Sequence, residues 1–160
     1  MSSPPPLTPL AAAALHVGTP ERVLEVACGD GEGALFLARE FPRARVRGID
    51  VDEEKVAAAA RRVGLDPEGR VAFKRGGPRT IPYPDDNFDL VAVVDARPAA
   101  GEVARVLRSR GHLILAATAG AAIAGARGRL LARGLRSRGF ELVDEERAGE
   151  GGFAVLRLPG

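Results

Sequence analysis

Tryptophan is absent from this 160-residue chain, and tyrosine and methionine occur once each. With aromatics at 4% of the sequence, there is little material for the stacking platforms that hold single-stranded nucleic acid. Cys28 is the only cysteine, which excludes an intrachain disulfide framework and suits a reducing compartment. No apolar run approaches the length needed to cross a bilayer, and the short run Ala11–Ala14 lacks signal-peptide flanks. The expectation is a soluble, cytoplasmic protein with no membrane partner. Histidine is scarce as well, and no His/Cys/Asp cluster has metal-ligand spacing, so no metal is expected. No Ser-His-Asp arrangement stands in a persuasive context either.

Lysine is nearly missing too. Lys55 and Lys74 are the only two among 23 basic residues, and the rest are arginine. The pI of about 9.2 raises the question of nucleic acid, yet the formal net charge is only +2. Arg127, Arg129, Arg133, Arg136 and Arg138 alternate with Leu130, Leu131 and Leu135. That spacing makes the arginines the solvent face of a helix, and nucleic acid is not an expected partner. Hydrophobic content of 46% and charged content of 28% are those of an ordinary globular domain, and the length suits one domain.

What is present is an alternation of strand and helix patterns. Strands are predicted at Arg22–Ala27, Arg45–Asp50, Val71–Arg75, Phe88–Val94 and His112–Ala117, with a final pair near Phe140–Arg147 and Gly152–Leu158. Helices are predicted at Leu10–Val17, Glu32–Phe41, Glu53–Val63 and Ala99–Leu107, and over the arginine-rich segment. Acids open the Glu53 helix and arginines close it, as its dipole favours. Met1–Pro9, rich in Ser and Pro, reads as a disordered lead-in, and residues 10–160 as a single domain.

The most informative segment is Val23-Leu24-Glu25-Val26-Ala27-Cys28-Gly29-Asp30-Gly31. It is a buried strand with an acid in it, then a glycine-rich turn, then the start of a helix. Gly29 and Gly31 permit a sharp turn and a close ligand, and the helix start aims N–H groups at that ligand. The spacing also fits the loose dinucleotide pattern G-x-G-x-x-[GA], which is weak evidence alone. Glu25 argues against a pyrophosphate there and for a cationic ligand. Asp50 ends the second strand, where it can accept from a ribose diol.

With Gly48-Ile49-Asp50-Val51-Asp52, Pro82-Tyr83-Pro84-Asp85-Asp86-Asn87-Phe88-Asp89 and Arg105-Val106-Leu107-Arg108-Ser109-Arg110-Gly111, the chain resembles the class I S-adenosylmethionine-dependent methyltransferases. The likeness covers Glu21 to Leu115. It implies an α/β, Rossmann-like three-layer sandwich: a mostly parallel seven-stranded sheet with an antiparallel C-terminal edge hairpin. It implies S-adenosylmethionine as cofactor, bound by Glu25, Ala27, Cys28, Gly29, Gly31, Asp50, Val51 and Gly77, and methyl transfer to a small-molecule or macromolecular acceptor. Asp95, at the end of the fourth strand, is the candidate general base, with a loop-bonding role as the alternative.

Two departures stand out. The family commonly closes its third strand with a Gly-Asp pair whose Asp, and the next backbone N–H, read the adenine edge. Here those positions are Gly77, with no side-chain acceptor, and Pro78, with no N–H. The segment after Asp95 is also short, leaving little to cover a substrate. A non-catalytic methyltransferase-like binding module is therefore the alternative to an enzyme. Ile123, Leu130 and Leu131 leave room for a homodimer.

Overall fold

The computed structural model describes residues 7–160. The chain alternates as expected: α1 (Thr8–Ala14), β1 (Arg22–Val26), α2 (Glu32–Glu40), β2 (Arg45–Asp50), α3 (Glu53–Val63), β3 (Val71–Arg75), β4 (Phe88–Val94), α4 (Ala100–Val106), β5 (Leu107–Ala117), α5 (Gly125–Ser137), β6 (Glu141–Ala148) and β7 (Gly151–Arg157). The strands form one sheet in the order β3-β2-β1-β4-β5-β7-β6. The first five run parallel, while β7 pairs antiparallel with β5 and β6 antiparallel with β7. This is the Rossmann-like sheet with its antiparallel edge hairpin. The strand order reverses between β1 and β4, and the crevice beyond their carboxyl ends is where such sheets take ligands.

Residue alternation along the strands builds two cores. Val23 and Val46, Leu90 and Ile114, with Phe153 on β7, face Leu10, Leu37 and Phe41 of the α1–α2 side. Leu24, Val91, Val93, Leu113 and Leu115 face the other way, onto Val103 of α4 and Leu135 of α5. Asp89 fixes the entry to the central strand, since its Oδ2 accepts from the Glu21 and Arg22 N–H groups at 3.0 and 2.9 Å. Asp52 caps α3 by accepting from Glu54 N–H at 2.9 Å.

The departures from expectation are local. Helix α1 starts at Thr8, so it takes in residues read as lead-in; Pro9 is buried near its start, where a missing N–H costs nothing. The rest of that lead-in, residues 1–6, lies outside the described residues. Strand β5 starts at Leu107, directly after α4, where Leu107 pairs with Phe88; the register then shifts before His112 pairs with Leu90, with Arg110 at a left-handed φ of 69° in between. The α5 arginines are exposed. Of the three apolar residues considered for a dimer, Ile123 and Leu131 pack against the chain's own core, while Leu130 is left 59% exposed.

Candidate cofactor site

The carboxyl ends of β1 and β2 are tied together by backbone. Cys28 N–H donates to Ile49 O at 2.9 Å, which lays the turn after β1 across the tip of β2. Ala27, Gly29 and Gly31 all have positive φ (59°, 55° and 91°), so the turn coils left-handed before α2 begins. For Ala27 that conformation costs roughly 1–2 kcal/mol, a strain typical of ligand-binding turns. Helix α2 has Gly31 as its N-cap and so no side-chain cap; in its first turn the Ala34 N–H bears on Glu25.

Asp50 is buried and holds this arrangement together. Its Oδ2 accepts from Gly29 N–H at 2.9 Å and its Oδ1 from Asp52 N–H at 3.0 Å. Each oxygen keeps a second lone pair for a further donor. Cys28 is buried with its thiol pushed up to about 12, first by burial and then by the negative charges of Glu25 and Asp50. A thiol held this way stays protonated near neutral pH.

Glu25 is 3% exposed, and its Oε1 has no hydrogen-bond partner. A Cβ at Gly33 would clash with Glu25 Oε2, so the first turn of α2 closes over the carboxyl only because residue 33 is glycine. Burial pushes the carboxyl up from 4.5 to about 8, reinforced by Asp30, Asp50 and Glu32. Sequence reasoning missed Gly33; its signal was the glycine next to Glu32, one step before the position the dinucleotide pattern would use.

Val51 and Gly77 line a neighbouring cavity of about 820 Å³, together with Pro78, Arg79, Thr80 and Arg97. It opens between the end of β2, the segment after β3 and the segment after β4. Val51 is 63% exposed there. Gly77 and Thr80 bond each other's backbone (Gly77 N–H to Thr80 O at 3.3 Å, Thr80 N–H to Gly77 O at 3.1 Å), and Gly76 N–H donates to Asp50 O. With Pro78 lacking an N–H, residues 76–78 have no free backbone donor to offer the cavity. A second pair that sequence reasoning missed pins the far wall. Arg105 donates to Ile81 O, Tyr83 O and Asp85 and pairs with Glu102, which accepts from Ile81 N–H. Its signal was the Arg105-Val106-Leu107 motif itself.

Asp95 directly follows β4, with a φ of 54°. Both of its carboxylate oxygens are engaged by Thr118, which donates from its N–H at 2.8 Å and its hydroxyl at 2.7 Å. Of its two readings, this is the geometry of loop bonding. Away from the site, the fold does what sequence spacing did not foresee: His16, Asp144 and Glu146 bring their ligand atoms within 4.8 Å of one another, with His16 Nε2 3.3 Å from Asp144. Among the described residues no helix is long and apolar enough to cross a membrane.

A family model described as a methyltransferase domain matches residues 23–111. The chain belongs to this family, the class I S-adenosylmethionine-dependent methyltransferase domains. Among its relatives, a fatty-acid O-methyltransferase of Mycolicibacterium smegmatis is 37% identical over 101 residues, covering 59% of this chain and 36% of the relative. A ubiquinone/menaquinone biosynthesis C-methyltransferase of Geobacter sulfurreducens is 36% identical over 103 residues, 59% of this chain and 40% of the relative. The chain thus spans well under half the length of these curated relatives. The fold is shared with phosphoethanolamine N-methyltransferase 2 of Haemonchus contortus in complex with S-adenosyl-L-methionine (TM-score 0.76, 15% identity, 94% of this chain and 52% of that one). It is also shared with the [4+2]-cyclase SpnF (TM-score 0.74, 22% identity, 93% and 80%), so the fold alone does not fix the reaction.

Proposed function

We propose that this chain binds S-adenosylmethionine over the turn after β1 and transfers its methyl group to an acceptor. The observation that carries this reading is the acid-lined, left-handed turn between β1 and α2: a buried carboxyl whose Oε1 has no partner, a helix start without a side-chain cap, and only acidic side chains bearing on that carboxyl. A phosphate-bearing ligand gains nothing from that company, whereas a ligand with an ammonium and a sulfonium does. Glu25, Ala27, Cys28, Gly29 and Gly31 would hold the amino-acid end. Asp50 would accept from the ribose through its remaining lone pairs, and Val51 and Gly77 would flank the adenine in the neighbouring cavity. Bound, the cofactor supplies an electrophilic methyl group. The chain's own part is to fix the donor and align an acceptor, which needs no dedicated base. That is consistent with Asp95 being held by Thr118.

The second reading, a non-catalytic module, is favoured by one observation: residues 76–78 offer the adenine edge neither a side-chain acceptor nor a free N–H. A loss of two neutral hydrogen bonds at about 0.5–1.5 kcal/mol each weakens binding roughly fivefold to 150-fold. The acceptor class, the compartment and a second subunit stay within the same proposal, as small-molecule or macromolecular, cytoplasmic and dimeric options. Calorimetric titration with S-adenosylmethionine separates the readings. Saturable micromolar binding that Asp50→Ala weakens at least a hundredfold supports the enzyme. Absence of heat at high protein concentration favours the module.

A further inference from the structure

Among the described residues, Glu25 Oε1 is the one buried side-chain oxygen or nitrogen without a hydrogen-bond partner. The residue sits mid-strand in β1, in register with Gly48 of β2 on one side and Ala92 of β4 on the other, so no neighbouring strand offers it a donor side chain. Gly33 of α2 closes over it. The charged groups that bear on it are Asp30 from the turn, Glu32 from α2 and Asp50 from β2, all acidic; the Ala34 N–H is the only neighbour favouring its charge. Arg62 does reach Asp30, at 2.8 Å, but that pair is out in solvent.

A carboxyl buried in negative company keeps its proton, and a positive charge brought within about 4–6 Å of a carboxylate lowers its pKa by roughly 1–3. We infer that Glu25 is a proton-linked cation sensor beneath the turn, neutral in the ligand-free protein and ionised when a cationic cofactor of the sulfonium and ammonium class seats above it. On binding, the carboxyl O–H bond breaks, the electron pair stays on Glu25 and the proton leaves to the buffer. This rests on the cofactor reading above. It adds that affinity is set by pH through the protonation of Glu25, and that the site selects ligands by charge as well as shape. With the ligand-free carboxyl near 8 and the bound form lower, affinity rises with pH up to about 8 and then levels, by at most about tenfold per pH unit.

The test is calorimetry of the full chain with S-adenosylmethionine in phosphate and in Tris, whose ionisation heats differ, at several pH values between about 6 and 8.5. The expected result is a buffer-dependent heat equivalent to most of one proton released near pH 7, fading above pH 8. In Glu25→Gln this release disappears and the rise in affinity with pH is lost. The cofactor's own amino group titrates near pH 8 and does so equally with both proteins, so the difference between them isolates Glu25. Binding with the same heat in both buffers across the range, or an unchanged pH profile in Glu25→Gln, overturns the inference and leaves the cofactor reading standing. No saturable binding at any pH overturns both. If Glu25→Gln fails to fold, the sign of the wild-type exchange near pH 7 decides, because an amine bound as its ammonium takes protons up whereas Glu25 releases one.

Discussion

The two ends of the candidate site are built on opposite plans. At the β1–β2 end the backbone is strained, the helix start has no side-chain cap, and a buried carboxyl oxygen, Glu25 Oε1, has no partner. Every charge bearing on that carboxyl is negative, and it is left for something outside the chain to balance. At the β3–β4 end the backbone satisfies itself through the Gly77–Thr80 bridge, the walls are proline, and the charged residues are arginines that reach into solvent. The first end stores unmet interactions and the second has none left over in its backbone. Cofactor affinity is therefore expected to come from the β1–β2 end, and the β3–β4 end to be where binding is weak and can be improved.

The largest effect should come from relieving the first end. A carboxyl raised from 4.5 unfolded to about 8 folded binds more protons in the native state, so stability falls as pH rises through that window and is flat on either side. At pH 7 this costs the ligand-free protein on the order of 3 kcal/mol. Glu25→Gln should recover roughly 1–3 kcal/mol at pH 7, less than the whole because the amide also needs partners, and almost nothing near pH 4.5. Urea unfolding of both proteins at the two pH values checks it, and an equal effect at both would show that Glu25 is not held neutral.

Gly33→Ala attacks the same end from above. The added methyl meets the enclosed Glu25 carboxyl. Destabilisation of about 1–3 kcal/mol is expected from urea unfolding, against well under 1 kcal/mol for Gly134→Ala on α5, where a Cβ meets nothing closer than 3.6 Å. At the second end, Arg105→Ala unpins residues 81–85. Two carbonyls and two carboxylates lose a partly exposed donor, for about 1–2 kcal/mol and faster proteolysis confined to that segment.

The difference between the ends also explains what was legible in the sequence. Strand and helix spans came from periodicity, and β2, α3, β3 and β4 fall on their predicted residues because caps and turns coincide there, as with Asp52 ahead of α3. The start of β5 was missed because Arg110 occupies a conformation expected of glycine, and propensity cannot announce that. Glu25, Gly29, Gly31 and Asp50 were visible because they crowd into short motifs. Gly33 became meaningful only once α2 was folded back over Glu25. Arg105 and the His16–Asp144–Glu146 group needed tertiary contacts spanning 20 residues or more. Asp95 was visible as a residue, but whether its carboxylate was free depended on Thr118, which only the pairing of β4 with β5 brings to it.

The smallest effect is the one that tests the second end directly. Gly77→Asp supplies the acceptor that the adenine edge lacks. The new Cβ would lie 3.0 Å from Val51 Cγ1, close enough that something must yield. Val51 is 63% exposed and can turn towards solvent, and Gly77 has no positive φ, so the backbone tolerates a side chain. One added hydrogen bond to a carboxylate is worth about 1.5 kcal/mol at the low end, and part of that is spent on moving Val51. A fivefold to tenfold gain in S-adenosylmethionine affinity is the expected outcome by calorimetry, with stability changed by less than about 0.5 kcal/mol. A variant that folds normally and binds no better would mean that the adenine edge is not read at residue 77. The weak end would then have to lie elsewhere along the 76–80 segment, with Thr80 the next residue to vary.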